Sequence, residues 1–514
     1  MNKIVKQALI SLADKSNLKS ILKTLKKYNV KIISSGGTSK EIKKLGFACI
    51  EVSKFTQSSE ILEGRVKTLH PKIHAGILSK RDNKIHRKEL KNNNYEEIDL
   101  VIVNFYPFEK TLEKTKNHKK IIENIDIGGP TLVRAAAKNY ENVAVVTNSS
   151  QYKNLIIELE KNKGSTSINF RKKLSEQAFS FTAYYDSLIS NYFNIQTNNI
   201  FPEKKIVYGN LIEKLRYGEN PHQQAAIYST KQNLGIFQLH GKKLSYNNYN
   251  DIFSALNLSK TLPKNTGTVI VKHANPCGVS INKNKVHSYK EAYSCDPISA
   301  FGGIVSCNFK VTSKVAIQLN KSFLEVIVGI GFNKDALKIL KKKKNLRIID
   351  ASKLKFENLN NMTTNFNSFL LQKDDNKIFQ KKDFRIVSKK KPNNKTFNNL
   401  IFSFNVCRSV KSNAIVLTKN KTTIGIGSGQ PSRLDSCKIA INKMNKFQKI
   451  NNNDEIIAAS DAFFPFVDGI ETLVHAGVTA VIQPSGSIRD KKIIKFADKV
   501  GIVLVFSKTR HFRH

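Results

Sequence analysis

The chain has 514 residues, of which 40% are apolar, so it is too long for one hydrophobic core and too apolar for global disorder. Its formal net charge is +45, but the lysines are spread along the whole chain beside Asn and Ile, which favours a base bias of the genome over a nucleic-acid groove. The six cysteines form no C-x-x-C pair and no apolar run approaches the ~20 residues of a membrane span. We therefore expect two or more domains in the reducing cytoplasm, with no membrane and no nucleic-acid partner.

The first 200 residues alternate between short apolar runs and amphipathic segments. Apolar spacing predicts helices at 18–28 and 125–139, and strands are expected at 30–33, 98–108 and 142–150. This alternation predicts a parallel sheet covered by helices, an α/β fold. A long helical stretch at 171–193 closes the first part, and the polar, aperiodic segment 194–214 is expected to be a linker.

The second part of the chain returns to strands separated by helical segments. Strands are predicted at 268–272, 303–306, 414–417, 478–483 and 501–506. The region 333–400 is rich in Lys and Asn and poorly patterned, so it is expected to form surface insertions. No short-period repeat is visible in the sequence.

Two polar segments near the N-terminus indicate an anion site. "SSGGTSKE" places Ser35, Gly36, Gly37 and Thr38 before a helix, where backbone amides and the helix dipole favour negative charge. An ordinary capped helix start explains this motif about as well. The segment 64–76, "GRVKTLHPKIHAG", adds cations and two histidines, a poor metal site but a good phosphate site.

Two further polar residues follow the predicted strands of the first part. Asp126 precedes two glycines and could aim a carboxylate at a ligand amine, and Lys138 could supply a proton or oppose a phosphate. Lone Asp and Lys residues are usually solvated surface groups, which remains the alternative for both.

The segment 269–280, "VIVKHANPCGVS", begins as a buried strand and ends in polar residues. Loops at the carboxyl ends of parallel strands commonly carry the chemistry of α/β proteins, so Lys272 and His273 are candidates for proton transfer. Zinc nucleobase deaminases carry H-x-E followed by P-C-x-x-C. Here Asn275 stands where that Glu is required and no second Cys lies three residues after Cys277, so no metal site is predicted.

These blocks, taken in order, resemble one family over nearly the full length: the bifunctional purine-biosynthesis enzymes that combine AICAR transformylase and IMP cyclohydrolase. The segments that carry the resemblance are "GRVKTLHP", "NIDIGGPTLVRAAAKN", "RYGENPHQ", "VKHANPCGV", "SAFGGI", "SDAFFPF" and the terminal "RHFRH". The resemblance implies a methylglyoxal-synthase-like cyclohydrolase domain at 1–199 and a transformylase region at 200–514 built from two cytidine-deaminase-like subdomains.

The resemblance also implies the reactions. Formyl transfer from the co-substrate 10-formyltetrahydrofolate to AICAR gives formyl-AICAR and tetrahydrofolate, and cyclisation of formyl-AICAR with loss of water gives IMP. By the family pattern His273 takes the proton of the attacking amine, while Lys272 stabilises the oxyanion or protonates the departing folate nitrogen. In the cyclohydrolase, Lys138, Tyr106 and Asp126 are implied to handle protons and orientation.

The implied binding residues fall into two sets. The cyclohydrolase set is Asp14, Lys15, Ser35, Gly36, Gly37, Thr38, Arg65, Lys67, Thr68, Asn104 and Gly128. The transformylase set is Arg216, Tyr217, Asn275, Gly302, Glu325, Asn413, Arg433, Asp468, Ser487, Ile488 and Arg510. Two residues depart from the family pattern: Ala13 stands where Ser is frequent, and Glu325 replaces the Asp of some relatives.

The resemblance further implies a homodimer in which the terminal tail helps complete a transformylase site between subunits. Two other functions fit the sequence less well. A metal-dependent nucleotide hydrolase or deaminase lacks its ligands in this sequence, and a basic RNA-binding or scaffold protein would explain the charge but not the polar loops that follow the predicted strands.

Overall fold

The computed structural model describes residues 2–356 and 360–514 and divides the chain into two compact units, the first ending at Gly209 and the second beginning at Asn210. The strands of the first unit are β1 (Lys3–Ile4), β2 (Gln7–Leu12), β3 (Lys31–Ser34), β4 (Ile50–Glu51), β5 (Leu100–Asn104), β6 (Ala144–Val146) and β7 (Ser165–Thr166). Its helices are α1 (Leu18–Lys27), α2 (Gly36–Lys44), α3 (Val52–Thr56), α4 (Pro71–Leu78), α5 (Lys84–Asn92), α6 (Phe108–Lys114), α7 (His118–Glu123), α8 (Gly128–Lys138), α9 (Tyr152–Lys161) and α10 (Ile168–Gln196).

The main sheet of the first unit has the order β4-β3-β2-β5-β6, and each neighbouring pair is parallel. The central strand β2 is fully buried at Ala8, Leu9 and Ile10, as expected for a parallel strand covered by helices on both faces. The predicted parallel sheet is thus confirmed. The long closing helix α10 extends a few residues beyond the predicted 171–193 at each end.

The second unit has more elements. Its strands are β8 (Asn210–Lys214), β9 (Ala226–Ser229), β10 (Phe237–His240), β11 (Gly267–Lys272), β12 (Asn275–Ile281), β13 (Ile304–Cys307), β14 (Val326–Gly329), β15 (Arg347–Asp350), β16 (Asn360–Asn365), β17 (Ser368–Lys373), β18 (Phe384–Ile386), β19 (Ile415–Lys419), β20 (Thr422–Gly427), β21 (Ile456–Ser460), β22 (Val478–Pro484) and β23 (Val503–Ser507). Its helices are α11 (Tyr246–Ser259), α12 (Lys285–Ser294), α13 (Pro297–Ala300), α14 (Ser313–Asn320), α15 (Lys334–Leu340), α16 (Asn394–Cys407), α17 (Arg433–Phe447), α18 (Asp468–His475) and α19 (Asp490–Val500).

Across the described part of the second unit, one 12-stranded sheet has the order β10-β15-β14-β13-β11-β12-β20-β19-β21-β22-β23-β18. Each half of this sheet contains an edge strand, a helix, a hairpin and then helices alternating with three parallel strands, in the same chain order. The halves meet where β12 and β20 run antiparallel, with Ser280 opposite Thr422. The second unit is therefore an internal repeat whose two hairpin turns lie at opposite ends of the sheet.

Close helix–strand packing recurs in both halves of this repeat. A Cβ on Gly278 of β12 would lie 1.8 Å from the carbonyl oxygen of Ala292 on α12. A Cβ on Gly425 of β20 would lie 2.2 Å from the carbonyl oxygen of Ala440 on α17. Since each obstacle is backbone, only glycine permits the helix to lie this close to the strand.

Two sequence expectations are wrong. The segment 269–280 does not follow a parallel strand, because β11 pairs antiparallel with both β12 and β13. His273 and Ala274 have φ of 54° and 57°, so the chain reverses at once into β12. The region 333–400 is not made of surface insertions alone, since β15 and β18 belong to the large sheet and Ile348 is fully buried.

None of the helices in the described ranges is long and apolar enough to span a membrane.

Candidate functional site

The first candidate site lies at the carboxyl edge of the parallel sheet in the first unit. Helix α2 begins at Gly36, whose φ of 46° suits glycine, directly after β3. The Nζ of Lys67 lies 3.3 Å from the position that a Cβ on Gly36 would occupy, and the Nζ of Lys15 lies 3.9 Å from that of Gly37. Two ammonium groups therefore flank a glycine-rich helix N-terminus, the arrangement that favours a phosphate.

The buried side chains beneath these glycines fix the local backbone. Thr38 accepts a hydrogen bond from the N–H of Leu12 at 2.9 Å and donates one to the carbonyl of Leu12 at 3.0 Å. Ser35 and Ser11 lie 3.4 Å apart through their hydroxyl oxygens. The predicted Ser35–Thr38 segment is thus tied to the end of β2 rather than to solvent.

The loop that carries the predicted cations reaches this edge, but each cation has a carboxylate partner. Lys67 Nζ lies 3.2 Å from Glu60 Oε2, and Arg65 forms a two-pronged ion pair with Glu123, at 2.6 and 3.2 Å. Thr68 is buried, with its Oγ1 3.0 Å from the Cβ position of Gly128.

Asp126 and its neighbours form the polar part of this edge. Its carboxylate accepts hydrogen bonds from the N–H of Gly129 at 2.8 Å and of Tyr106 at 3.3 Å. Burial raises the pKa of Asp126, and these two N–H groups partly offset that effect. The Tyr106 side chain itself is exposed.

Asn104, at the end of β5, holds the loop that follows β2. Its Oδ1 accepts hydrogen bonds from the N–H groups of Ala13 at 2.7 Å and Asp14 at 3.1 Å, and its Nδ2 donates to the Asp14 carbonyl at 2.7 Å. The bonds to the Ala13 and Asp14 backbone orient the loop that carries Lys15.

Lys138 is not brought to this edge by the fold of one chain. It is the last residue of α8, and the rise of ~1.5 Å per residue separates it by ~15 Å from Gly128 at the start of that helix. Its side chain is exposed. Its implied role stays a prediction.

The second candidate site is the β11–β12 hairpin turn. Lys272 Nζ donates a hydrogen bond to the carbonyl of Phe301 at 2.8 Å, which directs the ammonium towards the Phe301–Gly302 loop. The carboxylate of Asp251 on α11 accepts hydrogen bonds from the N–H groups of His273 at 3.3 Å and Ala274 at 2.6 Å. Burial raises the pKa of Asp251, and these N–H groups and the His273 side chain oppose the rise.

The second half of the repeat adds hydrogen bonds beside the β11–β12 turn. Asn275 Oδ1 accepts a hydrogen bond from the N–H of Lys411 at 2.9 Å, two residues before Asn413. Asn413 Oδ1 accepts one from Arg433 Nη2 at 2.7 Å, and Arg433 also forms an ion pair with the fully buried Asp461. The predicted Asn275, Asn413 and Arg433 thus belong to one network.

Gly302 and Glu325 lie on the first half of the repeat. The rings of Phe301 and Phe323 lie 5.0 Å apart, and Gly302 donates its N–H to the carbonyl of Phe323 at 2.9 Å. Glu325 accepts a hydrogen bond from Asn248 at 3.1 Å and lies 3.7 Å from Arg347.

The remaining predicted residues have no described hydrogen bond to the Asn275–Asn413–Arg433 network. Arg216 lies over the ring of Tyr217 at 5.4 Å, and Arg510 over that of Phe512 at 4.6 Å. Asp468 begins α18, Ser487 accepts from the N–H of Arg489 at 3.1 Å, and Ile488 is fully exposed.

Sequence reasoning missed the residues that hold the hairpin turn. Asp251 and Ser254 come from α11, where Ser245, Asn248, Asp251 and Ser254 recur at a spacing of three along the helix. That regular spacing of polar residues along the helix was the available signal. Asp461 had no comparable pattern, and Arg513 was recognised only as part of the terminal segment.

Among the residues described, no three His, Cys, Asp or Glu side chains converge as metal ligands would.

Comparisons with known proteins give one consistent family. A family model described as AICARFT/IMPCHase bienzyme matches residues 136–443, and one described as MGS-like domain matches residues 17–131. The chain is 44% identical over 524 residues to the bifunctional purine biosynthesis protein PurH of Bradyrhizobium diazoefficiens, covering 99% of each chain. It is 42% identical over 521 residues to the PurH protein of Acetivibrio thermocellus, covering 99% of this chain and 100% of that one.

Proposed function

Since this chain belongs to the AICARFT/IMPCHase bienzyme family, we propose that its two parts divide the reactions between them, with cyclisation assigned to 1–199 and formyl transfer to 200–514. The protein is a bifunctional enzyme of purine biosynthesis that carries out the last two steps of IMP formation. It formylates AICAR and cyclises formyl-AICAR to IMP with loss of water. The co-substrate of the first step is 10-formyltetrahydrofolate.

Lys272 and His273 carry formyl transfer. The amine of AICAR attacks the formyl carbon, His273 takes the amine proton, and Lys272 stabilises the oxyanion or protonates the departing folate nitrogen. The observation that most supports this pair is its position on a turn fixed by Asp251, with the Lys272 ammonium 2.8 Å from the Phe301 carbonyl. A fixed turn keeps both groups oriented before substrate arrives.

Asn275, Gly302, Glu325, Asn413 and Arg433 bind the nucleotide around this pair. The Arg433 guanidinium is held by Asp461 and Asn413, so it presents a fixed cation to an anionic ligand. Further contacts to nucleotide or folate come from residues outside that network: Arg216, Tyr217, Asp468, Ser487, Ile488 and Arg510.

Cyclisation uses the site in the first unit. Lys15 and Lys67, with the glycine-rich start of α2, hold the phosphate, and Thr68 and Asn104 orient the ribose side of the ligand. Asp126 and Tyr106 orient the carboxamide that attacks the formyl carbon. Lys138 handles a proton in this reaction, and because it lies ~15 Å along α8 from Gly128, that role requires a second copy of the chain or a rearrangement.

The second unit consists of two cytidine-deaminase-like subdomains, an assignment that its internal repeat supports. The enzyme is a homodimer, which sedimentation would test; a monomer with full transformylase activity would overturn that assignment. All described cysteines are unpaired, which suits a cytoplasmic location.

Paired kinetics test the division of reactions. Lys272→Ala and His273→Ala should each lower formyl transfer at least ~10²-fold, the usual scale for a lost general acid or base. Cyclisation of supplied formyl-AICAR should be unchanged in both variants. Near-normal transformylase activity in both would remove the assignment, and Lys421→Ala, on the other hairpin turn, is the matched control.

A further inference from the structure

We propose that Arg513 is a positioning residue for formyl transfer within its own chain, because it joins the helix behind the Lys272–His273 turn to the loop that carries Asn413. The inference rests on the proposed role of Lys272 and His273. It concerns contacts of Arg513 inside its own chain, whereas the resemblance implies that the terminal tail helps complete a site between subunits.

The side chain of Arg513 contacts both halves of the repeat. Its Nη2 donates a hydrogen bond to Ser254 Oγ on α11 at 3.1 Å, and its Nη1 donates to the carbonyl of Ser409 just after α16. Ser254 in turn donates its hydroxyl proton to the carbonyl of Ala274 at 2.9 Å. The guanidinium is therefore one hydrogen bond removed from the hairpin turn.

The backbone of Arg513 makes the connection on the other side. Its N–H donates to Ser412 Oγ at 3.1 Å, and its carbonyl accepts from the N–H of Ser412 at 2.9 Å. Ser412 donates its hydroxyl proton to Asp461 at 2.5 Å, and Asp461 pairs with Arg433, which binds Asn413. A chain of hydrogen bonds thus runs from the catalytic turn to the nucleotide-binding loop through one residue.

The tail is held firmly enough for this role. His511 is only 3% exposed, its Nδ1 lies 2.5 Å from Asp375 Oδ2, and its ring packs edge-on against Phe404 and Phe379. Its N–H also donates to the carbonyl of Asp461 at 3.0 Å. A free cationic terminus would be disordered, whereas this one is anchored two residues before Arg513.

Only arginine meets the geometry. Ser254 and Ser409 accept from different nitrogens of one planar guanidinium, and a lysine ammonium on a flexible stem does not span both acceptors in fixed orientation. Loss of the bridge lets the turn and the Asn413 loop shift relative to each other, and small shifts in reacting geometry cost ~10²-fold in rate.

The test uses Arg513→Ala and Arg513→Lys in the full-length enzyme, with Arg385→Ala, an exposed arginine on β18, as the charge-matched control. We expect kcat for formyl transfer to fall ~10- to 100-fold in Arg513→Ala, and by a similar factor in Arg513→Lys. The KM for the folate and the cyclisation rate should match those of the control. Methylguanidinium added to Arg513→Ala should restore part of kcat.

A double-mutant cycle makes the result specific. The single variant Ser254→Ala should lower kcat. Combining it with Arg513→Ala should cause little further loss of kcat, because both changes break the same bridge. If Lys272→Ala abolishes transfer while Arg513→Ala has the kcat of the control, the inference is wrong and the proposed function stands. If Lys272→Ala is active, the proposed function itself fails.

Discussion

The ammonium of Lys67 lies 3.2 Å from the carboxylate of Glu60, at the same helix N-terminus that is proposed to bind the substrate phosphate. Glu60 therefore competes with a bound phosphate for the ammonium of Lys67. A phosphate that binds Lys67 has to displace this carboxylate.

Glu60→Gln should strengthen substrate binding in the cyclohydrolase. Partly exposed ion pairs contribute about 0.2–1 kcal/mol, so removing this one should lower the KM for formyl-AICAR by up to about fivefold, with kcat unchanged. Steady-state kinetics measure this, with Glu176→Gln on the exposed face of α10 as control. A KM equal to or above that of the control would show that Glu60 does not compete.

A fragment ending at Gly209 should fold and convert formyl-AICAR to IMP, whereas one ending at residue 199 should be less stable. Tyr208 packs on the core of the first unit, with its ring 5.8 Å from that of Tyr184, so the shorter fragment loses buried surface. Thermal unfolding compares the two. An inert but folded longer fragment would contradict the assignment of cyclisation to the first part.

The Asp375–His511 contact should make stability depend on pH. Burial alone would raise the pKa of Asp375, but His511 and Arg408 hold it below its ordinary value. A lowered pKa stabilises the fold above the unfolded value of about 3.9, and this stability is lost as pH falls through the folded value. Asp375→Asn should therefore destabilise the enzyme at pH 7, and the difference from wild type should shrink below about pH 4. Urea unfolding across this range measures it; a constant difference would contradict the prediction.

Gly278→Ala should destabilise the second unit by about 1–3 kcal/mol or more, because the added methyl meets the backbone oxygen of Ala292, which cannot move aside. Denaturant unfolding measures the loss. Gly37→Ala is the stability control, since its methyl would meet only the Lys15 side chain, at 3.9 Å. Equal stability of the two variants would mean that α12 adapts to the strand.

The sequence predicted β3, β5 and β6 of the first sheet, because each is a short apolar run followed by an amphipathic helix, but it did not predict the central strand β2. It did not predict the tight antiparallel turn at Lys272 and His273, since the positive φ of His273 and Ala274 has no local signature such as Asn-Gly. The prediction of surface insertions at 333–400 was wrong because β15 is hard to recognise. It contains only two strongly buried apolar residues, Ile348 and Ile349, between charged residues. The resemblance pointed to the terminal segment that contains Arg513, but the contacts of Arg513 could not be predicted, because its partners lie 104 and 259 residues away in the chain.

The antiparallel pairing of β12 and β20 at Ser280 and Thr422 determines whether the second unit can be split into two active halves. Because of this pairing, one half of the repeat is inverted relative to the other. The start of β12 therefore lies beside the residues that follow β20. The first half carries the Lys272–His273 turn, and the second half, whose own turn is Asn420–Lys421, brings Asn413 and Arg433 to that same end. On the proposed assignment neither half alone contains all of these residues, so a polypeptide made of either half alone should lack transformylase activity.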